Sequence, residues 1–478
     1  MSTIKDSRKE YDVCILGSGP AGLATLSAIQ EPYSLDFLSE GQIYRAERHL
    51  PGSNCRGSSV IVIDPHPSWM GDWKKNFETL GIEFLRSPAL AHPDMFDQNS
   101  LLAFAEIQNR QDELIESGCG DLRSLLPLGQ SQIGLWKLPS VSLFADFCQT
   151  LVEQLPHEYQ QGVVTDIRKE DDGGPLFEIY LEGGLMYRAT AVVLAMGAVG
   201  RPVVPMALAE VPAHRLIQWT NLNIVNAKSG DDILVIGGGL TSLQVAQRLA
   251  STSLANITLC SRRPLVERHF DISIDWFDRR TTTKCMSDFY HKSHQERLAL
   301  LKDSRGGGSI PGIYMTALRK LEAEGKVHCV VGNAEVTNNG TDSDDGVEIT
   351  IYSQDGQATV RRFNAIILAC GIKVDCETNP LCRKLLDRWP KQLQGGFPCL
   401  SEDLEWTDNL HVIGGLGSLS IGPDAANLMG MRRAAQIVSN SLECRCWLRE
   451  ANVLKNSFDA LMCPSSDSDD ISSSDEEN

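Results

Sequence analysis

The chain lacks any long hydrophobic run. No stretch of its 478 residues approaches the ~20 apolar residues of a membrane-spanning helix, and the start of the chain has no apolar signal-peptide core. Basic residues are scarce too: 44 Lys and Arg stand against 62 Asp and Glu, a net charge of −18. Nucleic-acid binding relies on Lys and Arg to neutralise phosphates. We therefore expect a cytoplasmic protein with neither a membrane nor a nucleic acid as its partner.

Paired cysteines are missing as well. None of the 14 cysteines forms a Cys-x-x-Cys pair, which argues against a redox dithiol centre. Cys14, Cys260 and Cys370 lie in apolar runs, where a thiol acts as a small hydrophobic side chain. We see no residue pattern typical of metal ligands and expect no metal site.

A glycine turn follows the first apolar run. Residues 11–22 read YDVCILGSGPAG and contain Gly17, Gly19, Pro20, Ala21 and Gly22. In such a strand–turn–helix unit the first glycine allows the tight turn, and the second lets a pyrophosphate approach the backbone. The third lets helix and strand pack closely, and the phosphates meet the N–H groups at the helix N-terminus. The pattern predicts a dinucleotide site.

A second turn of the same kind lies far along the chain. Residues 231–242 read DDILVIGGGLTS and contain Gly237, Gly239, Thr241 and Ser242. Ser242 stands at the third position, which must be small. Two such turns in one chain predict two dinucleotides and electron transfer between them.

The strand after the second turn ends in two arginines. Residues 257–260 are followed by Ser261, Arg262 and Arg263. An acid at this place would bind the ribose of NAD, whereas an arginine accommodates the 2′-phosphate of NADP. We interpret the pair as favouring NADPH; the alternative is a basic strand end that faces solvent.

The acid expected to bind the first ribose has two candidates. It normally lies about 20 residues after the glycines. Asp64, at the end of the apolar run 60–64, comes about 42 residues after Gly22, which requires an inserted loop. Glu40, after residues 34–38, is the alternative. We prefer Asp64, since its strand is the more apolar.

Two similar strands bracket the second turn. Residues 191–197 (AVVLAMG) and 365–371 (AIILACG) end in Gly197 and Gly371 and mark crossings between domains. The pattern predicts a first domain of residues 11–202 and 361–447, interrupted by a second of residues 203–360. Residues 1–10 are predicted to be flexible and the acidic, Ser-rich tail 448–478 disordered. A further glycine loop with Gly415 either faces a cofactor or is an ordinary strand–helix connection.

These signals, in this order, resemble the two-dinucleotide flavoproteins. Residues 17–22 are similar to their FAD fingerprint, 195–197 to their Ala-Thr-Gly motif and 237–242 to their nicotinamide turn. The resemblance covers about residues 10–445 and implies an α/β fold with two Rossmann-like dinucleotide-binding domains, the NADPH domain inserted in the FAD domain. The implied cofactors are FAD and NADPH.

Within this group the chain resembles the single-component flavin monooxygenases of the lysine/ornithine N-hydroxylating type. A weaker likeness to the oxidative-stress-induced growth-inhibitor proteins of animals rests on residues 413–417, 262–263 and 290–294. The family linker Phe-x-Gly-x-x-x-His has no clean copy, and only Pro212-Ala-His214 falls where it should. The resemblance therefore implies FAD binding more strongly than hydroxylation.

The resemblance also implies contacts outside the glycine turns. Trp69 and Trp73 stand where such enzymes wrap the flavin ring, although half-buried core aromatics are an equal alternative, and Val164 is implied to contact adenine. Arg86 and His92 lie in a proline-punctuated loop of the sort that approaches the flavin, where either residue would stabilise a reduced flavin or an oxygen adduct. A surface salt bridge for Arg86 and a core position for His92 are the favoured interpretations. Residues 267–302, rich in aromatic and charged side chains, either shape a substrate entrance or form a solvated insertion.

The sequence thus predicts an FAD-dependent oxidoreductase reduced by NADPH, in particular a monooxygenase that acts on a small substrate with molecular oxygen through a flavin hydroperoxide. The alternatives are a flavin reductase or oxidase without oxygen insertion and a non-catalytic FAD-binding regulatory protein. The acidic tail resembles acid-directed kinase sites, with an unmodified solvated tail as the alternative, and a homo-oligomer is compatible with the sequence.

Overall fold

The computed structural model describes residues 5–30, 58–116, 136–170, 174–197, 199–225, 227–337 and 346–442. Glu40 and the tail 448–478 lie outside these ranges. Among the described helices, none has the length and apolar character needed to span a bilayer.

Strands and helices both occur throughout the described chain, and several strands follow one another without a helix between them. In chain order the strands are β1 (Lys5–Leu16), β2 (Val60–Asp64), β3 (Leu114–Ile115), β4 (Leu138–Pro139), β5 (Glu158–Gln161), β6 (Val164–Lys169), β7 (Phe177–Leu181), β8 (Leu185–Leu194), β9 (Gly200–Pro202), β10 (Leu216–Gln218), β11 (Asp232–Ile236), β12 (Asn256–Ser261), β13 (Val327–Val336), β14 (Val347–Ser353), β15 (Ala358–Phe363), β16 (Ala365–Leu368), β17 (Ile372–Val374), β18 (Leu393–Gln394), β19 (Phe397–Pro398), β20 (Glu405–Thr407) and β21 (Leu410–Val412).

The described α-helices are α1 (Pro20–Gln30), α2 (Gly71–Leu80), α3 (Ser100–Ile107), α4 (Val141–Gln154), α5 (Leu240–Thr252), α6 (Arg279–Tyr290), α7 (His294–Ser304), α8 (Gly312–Ala323), α9 (Pro380–Arg388), α10 (Ser418–Ile421) and α11 (Leu428–Leu442). Helix α4 shows how local sequence sets these bounds. The Ser140 side chain accepts a hydrogen bond from Leu143 N and caps the helix, and Leu143, Phe147 and Leu151 bury one face at helical spacing.

The first sheet is built around β1. Its order is β20-β21-β8-β1-β2-β5, with β7 and then β6 continuing from β8. Strand β1 pairs in parallel with both β2 and β8. Both β2 and the centre of β1 are buried, which is why their sequences are nearly continuous apolar runs. Strands β6 and β7 pair antiparallel, with Ile167 opposite Ile179.

The second sheet is built around β11 in the same way. Its order is β10-β16-β11-β12-β13-β14-β15, parallel from β10 to β13 and antiparallel beyond. The described residues therefore form a mixed α/β fold with two large sheets, and each glycine turn follows a central strand of its own large sheet.

The predicted domain boundaries differ from the sheets in two places. Strand β1 begins at Lys5 and pairs with β8 from that residue, so residues 5–10 are part of the first sheet. Strand β16, expected in the first domain, pairs with β10 and β11 in the second sheet. The chain returns to the first sheet only after residue 368, through the antiparallel ribbon of β9 and β17.

Residues 268–309, here called the insertion, join the two halves of the molecule. A parallel bridge between Glu267 and Ile310 closes its base. Its aromatic side chains are largely buried, which overturns the solvated interpretation: Phe270, Trp276, Phe277 and Phe289 share one apolar cluster with Leu90, Trp136 and Leu419 of the first half.

The buried carboxyl of Asp166 attaches α9 to the first sheet. It accepts hydrogen bonds from Arg168 Nε at 2.8 Å and from Arg388 Nη1 at 2.9 Å. Burial by itself would raise the pKa of Asp166, but the bonds from Arg388 and Arg168 outweigh burial and lower it. The ionised carboxylate is therefore the form that the fold stabilises.

We predict that Asp166→Asn lowers the free energy of unfolding by about 2 kcal/mol near neutral pH, because hydrogen bonds to charged groups contribute about 1.5–3 kcal/mol. Since the folded pKa lies below the unfolded value of about 3.9, the difference persists above that pH and fades below it. Urea unfolding near neutral pH and near pH 3 measures both. The control Glu348→Gln, in an exposed ion pair with Arg362, should cost less than about 1 kcal/mol; equal losses would contradict the prediction.

Candidate functional site

The first glycine turn is pressed against the end of β8. A Cβ on Gly17 would overlap the carbonyl oxygen of Ala195, and one on Gly22 would overlap that of Gly17. Ala195 N in turn donates to Leu16 O at 2.8 Å. No side chain fits at either glycine, so the packing of strand, turn and helix depends on both.

The middle of this turn is open. A Cβ on Gly19 would meet no atom within 4 Å. Helix α1 begins beside it at Pro20 and Ala21, where the first N–H groups of a helix lack intrahelical partners. Open space in front of a helix N-terminus is what a pyrophosphate requires, and these residues therefore fit the predicted dinucleotide.

Asp64 lies beside this turn. One oxygen of its carboxylate accepts a hydrogen bond from Ser18 N at 2.8 Å and the other from His66 N at 2.8 Å. A carboxylate offers about four lone-pair sites, so acceptor capacity is left for a ribose. Val164 begins β6 two residues after Gly162, whose N–H donates to Asp64 O at 2.8 Å. The alternative acid, Glu40, lies outside the described residues.

A third glycine loop closes this side of the site. Gly415 is buried in a 3₁₀ turn, Gly414–Gly417, that follows β21. A Cβ on Gly414 would lie 3.8 Å from that of Ala21, and Ser418 Oγ donates to Gly415 O at 2.7 Å. The loop therefore faces the start of α1, where a cofactor is expected.

The second turn repeats the geometry of the first. A Cβ on Gly237 would lie 2.5 Å from Ala369 O and 2.9 Å from the Ser242 Cβ, and Gly239 is open. Ala369 N donates to Ile236 O at 2.8 Å. Ser242 is fully buried and its Oγ donates to Gly239 O at 2.7 Å. The third position thus requires a small residue but tolerates serine. Thr241 lies in the first turn of α5.

The strands that bracket the second turn both end at a glycine turn. After Ala195 and Ala369 the backbone becomes left-handed at Gly197, with a φ of 70°, and at Gly371, with a φ of 82°. A Cβ on either would meet nothing within 4 Å. The left-handed backbone, rather than crowding, favours glycine at both positions.

Arg262 and Arg263 lie at the edge of the second turn. A Cβ on Gly238 would lie 3.4 Å from that of Ser261, and both arginines that follow are exposed. Burial raises the pKa of the Cys370 thiol, and the charge of Arg262 partly offsets this. The arginines therefore stand beside the turn, available to an anionic group.

Trp69 and Trp73 have partners within the first core. Trp69 is buried, its Nε1 donates to His157 Nε2 at 3.0 Å, and its ring is tilted against that of Tyr159. Trp73 stacks on Phe77 with ring centroids 4.2 Å apart. Packing accounts for both residues, and a contact with flavin stays a prediction.

His92 is a core histidine. It is fully buried, and its Nε2 lies 3.0 Å from Gln98 O. Burial, and then the charge of Arg432, hold its pKa well below the ordinary value, so the ring is neutral. Arg432, in α11, is itself buried beside His92. Sequence reasoning missed this arginine, because nothing local marks its helix face as buried.

Within the described ranges Arg86 forms no salt bridge, and its partners are carbonyl and hydroxyl groups. Its Nε donates to His269 O at 2.7 Å, and its Nη2 donates to Ser309 Oγ at 2.9 Å and to Arg268 O at 3.3 Å. All three acceptors belong to the insertion. The residue therefore connects the two halves of the molecule.

A triglycine loop, Gly306–Gly308, was also missed. A Cβ on Gly308 would lie 2.5 Å from Gly238 O and 3.4 Å from Gly239 Cα. The loop thus packs directly on the second glycine turn. The run Arg-Gly-Gly-Gly-Ser at 305–309 was a visible signal, but nothing in the sequence indicates which turn it would contact.

Comparison with known proteins agrees with this geometry. Residues 137–374 match the sequence model of the L-lysine 6-monooxygenase/L-ornithine 5-monooxygenase family. A search of curated protein sequences finds no significant match. The matched segment runs from β4 to β17 and includes the whole second sheet, so the resemblance inferred from the glycine signals is confirmed.

Solved structures extend the likeness to most of the chain. The ornithine hydroxylase of Pseudomonas aeruginosa has a TM-score of 0.64 at 16% identity, covering 91% of this chain and 99% of its own. The FAD-bound cadaverine monooxygenase of Erwinia amylovora has 0.64 at 15%, covering 91% and 95%. The ornithine N-hydroxylase of Kutzneria sp. 744, solved with reduced FAD, NADP⁺ and L-ornithine, has 0.65 at 15%, covering 91% and 100%. At these identities the structures share the fold.

Gly19 and Gly239, where a Cβ would meet no atom, allow the two cofactor sites to be tested separately. Gly19→Ala and Gly239→Ala each place a methyl group where the protein leaves space and the phosphates are expected. We predict that Gly19→Ala purifies folded with less bound FAD, while Gly239→Ala keeps its FAD and raises the Kd for NADPH by about tenfold or more, a loss of about 1.4 kcal/mol.

Flavin absorbance per protein and an NADPH titration measure the two effects, and each variant is the control for the other. Wild-type binding of both cofactors by both variants would contradict the assignment of the turns.

Proposed function

We propose that this protein is an FAD-dependent monooxygenase in which NADPH reduces the flavin and a small amine is hydroxylated on nitrogen. The observation that carries the proposal is the duplicated turn. At Gly17 and at Gly237 alike, the carbonyl of a crossing strand lies where a Cβ would be, and the middle glycine is open.

The first sheet and its helices form the FAD domain, and the second sheet, with β10 to β16, forms the NADPH domain inserted in it. Both are Rossmann-like, since a parallel core surrounds the strand before each glycine turn. Strands β8 and β16, whose ends pack against the two turns, lead into the β9–β17 ribbon. This ribbon connects the two domains that are proposed to hold the cofactors.

FAD, when bound, supplies the hydride acceptance and oxygen activation that amino-acid side chains lack. The residues of this chain bind and orient the two cofactors. Asp64 holds the first turn and offers acceptors to the ribose, and the exposed Arg262 and Arg263 offer charge to a 2′-phosphate. The buried aromatic cluster of the insertion packs on Leu419, just beyond the third glycine loop, and excludes water there.

The substrate class is proposed from the relatives. The matched family and structures are described as acting on lysine, ornithine and cadaverine, all of them small amines. Their common feature is an aliphatic primary amine, and we propose the same class for this chain.

One experiment tests the proposed function. The purified protein should carry bound flavin, and NADPH should reduce it anaerobically. In air, an accepted amine from a panel of ornithine, lysine and cadaverine should speed NADPH consumption, lower the share of hydrogen peroxide and yield a hydroxylamine, whereas a thioether should not. Near-stoichiometric peroxide with every amine would contradict a monooxygenase in favour of an oxidase, and a flavin that NADPH leaves oxidised would refute both.

Arg262 tests the choice of NADPH over NADH. We predict that Arg262→Ala raises the KM for NADPH about 10- to 100-fold, because a charge-assisted bond to a phosphate contributes about 1.5–3 kcal/mol. The KM for NADH should change little, since NADH has no 2′-phosphate. Steady-state kinetics with both nucleotides measure this, with the exposed Arg280→Ala as control. Equal effects on both nucleotides would refute the role.

A further inference from the structure

One arginine of the first domain reaches the edge of the second cofactor turn. Arg86 lies in a segment that runs beside β4. Backbone hydrogen bonds hold this segment on both sides of Arg86: Leu85 N donates to Pro139 O at 2.9 Å and Ala89 N to Lys137 O at 2.7 Å. Leu85 itself is buried in the first core. The guanidinium therefore projects from a fixed part of the FAD domain.

The acceptors of Arg86 all lie at the base of the insertion. Its three hydrogen bonds reach His269 O, Arg268 O and Ser309 Oγ, which are brought together where the insertion begins and ends. A planar guanidinium with five N–H donors suits such a set, whereas the ammonium of a lysine is a compact point charge.

The hydrogen bond to Ser309 connects Arg86 with the loop that packs on the second glycine turn, the proposed nicotinamide turn. Ser309 is buried and lies between Gly308, which packs on Gly238, and Ile310, which is fully buried in the core of the second domain. A shift of Ser309 therefore moves the loop that packs on the turn, because neither neighbour has room to absorb it.

The charge around Arg86 is mainly positive. Burial lowers the pKa of Arg86, Asp271 opposes this, and the nearby Arg268 and Arg305 lower it further. The Asp271 carboxylate lies 4.0 Å from the guanidinium of Arg305 and accepts a hydrogen bond from the side-chain amide of Asn427. The cluster has more positive than negative charge, and it stands next to a turn that is proposed to hold a diphosphate.

We propose that Arg86 is a positioning residue for flavin reduction: it holds the triglycine loop against the nicotinamide turn and thereby sets the distance between the two bound cofactors. The inference rests on the proposed function. Hydride transfer needs reacting atoms about 3–3.5 Å apart, and a misplacement of about 1 Å costs about 100-fold in rate. Arg86 touches no reacting atom in this role; it acts through Ser309 and Gly308.

The test compares Arg86→Gln with Arg297→Gln in the flavin-loaded protein. Arg297 also links the insertion to the first domain, through Leu419 O, but away from the turn. We expect Arg86→Gln to lower the limiting rate of anaerobic flavin reduction about 10- to 100-fold while the Kd for NADPH changes less. Arg297→Gln should leave that rate unchanged. Equal losses in both variants would overturn the proposal, because general loosening of the insertion would then explain them.

Two further variants keep the test independent of folding. Ser309→Ala removes one acceptor without touching Arg86 and should slow flavin reduction in the same direction. Arg86→Lys keeps the charge but not the planar set of donors and should remain slow. Full activity of Arg86→Lys would overturn the positioning role in favour of charge alone.

Hydrogen exchange supplies a readout that does not depend on turnover. Without NADPH, amides of residues 268–271 and 305–310 should exchange faster in Arg86→Gln than in the wild type and in Arg297→Gln. Unchanged exchange together with an unchanged reduction rate would refute the inference. A wild-type flavin that NADPH leaves oxidised would instead refute the proposed function, and the exchange result would still decide whether Arg86 holds the loop.

Discussion

The structure depends on close backbone packing at two glycine turns. At Gly17 and at Gly237 the carbonyl of a neighbouring strand occupies the place where a Cβ would stand. The strands concerned, β8 and β16, each lead out of one sheet and into the ribbon that connects the two. A side chain at either glycine would displace both a turn and a crossing strand. The packing at the turns and the path of the chain between the domains therefore depend on each other.

The insertion is a second connection between the two halves, in addition to the β9–β17 ribbon. The insertion buries aromatic side chains against Trp136 and Leu419, and directed bonds hold it there, from Arg86 to Ser309 Oγ at 2.9 Å and from Arg305 to Pro423 O at 3.0 Å. Apolar burial supplies most of such an interface's stability and is not directional, whereas hydrogen bonds fix register. The ribbon and the insertion are thus two connections between the halves that carry the glycine turns.

Much of the fold could be predicted because its signals are local. The apolar runs of β2 and β11, the glycine spacing and the cap of α4 are read within a few residues. The ends of the strands and the domain boundaries were harder to predict from the sequence. Polar residues 5–10 pair with β8 although their composition is typical of a free end, and residues 365–368 pair with β11 because register in a parallel sheet is decided by partners far away in sequence.

By itself the sequence determined which segments form the two turns, because only glycine or a small residue meets their steric demand, and it marked Arg262 and Arg263 by their place after a strand. Only the tertiary structure decided that Arg86 bonds to the insertion, that residues 306–308 pack on the second turn, and that His92 and Arg432 are buried together. Those contacts join residues far apart in the chain, and no local pattern encodes such a partner, since burial and hydrogen bonding there arise only when both domains are in place.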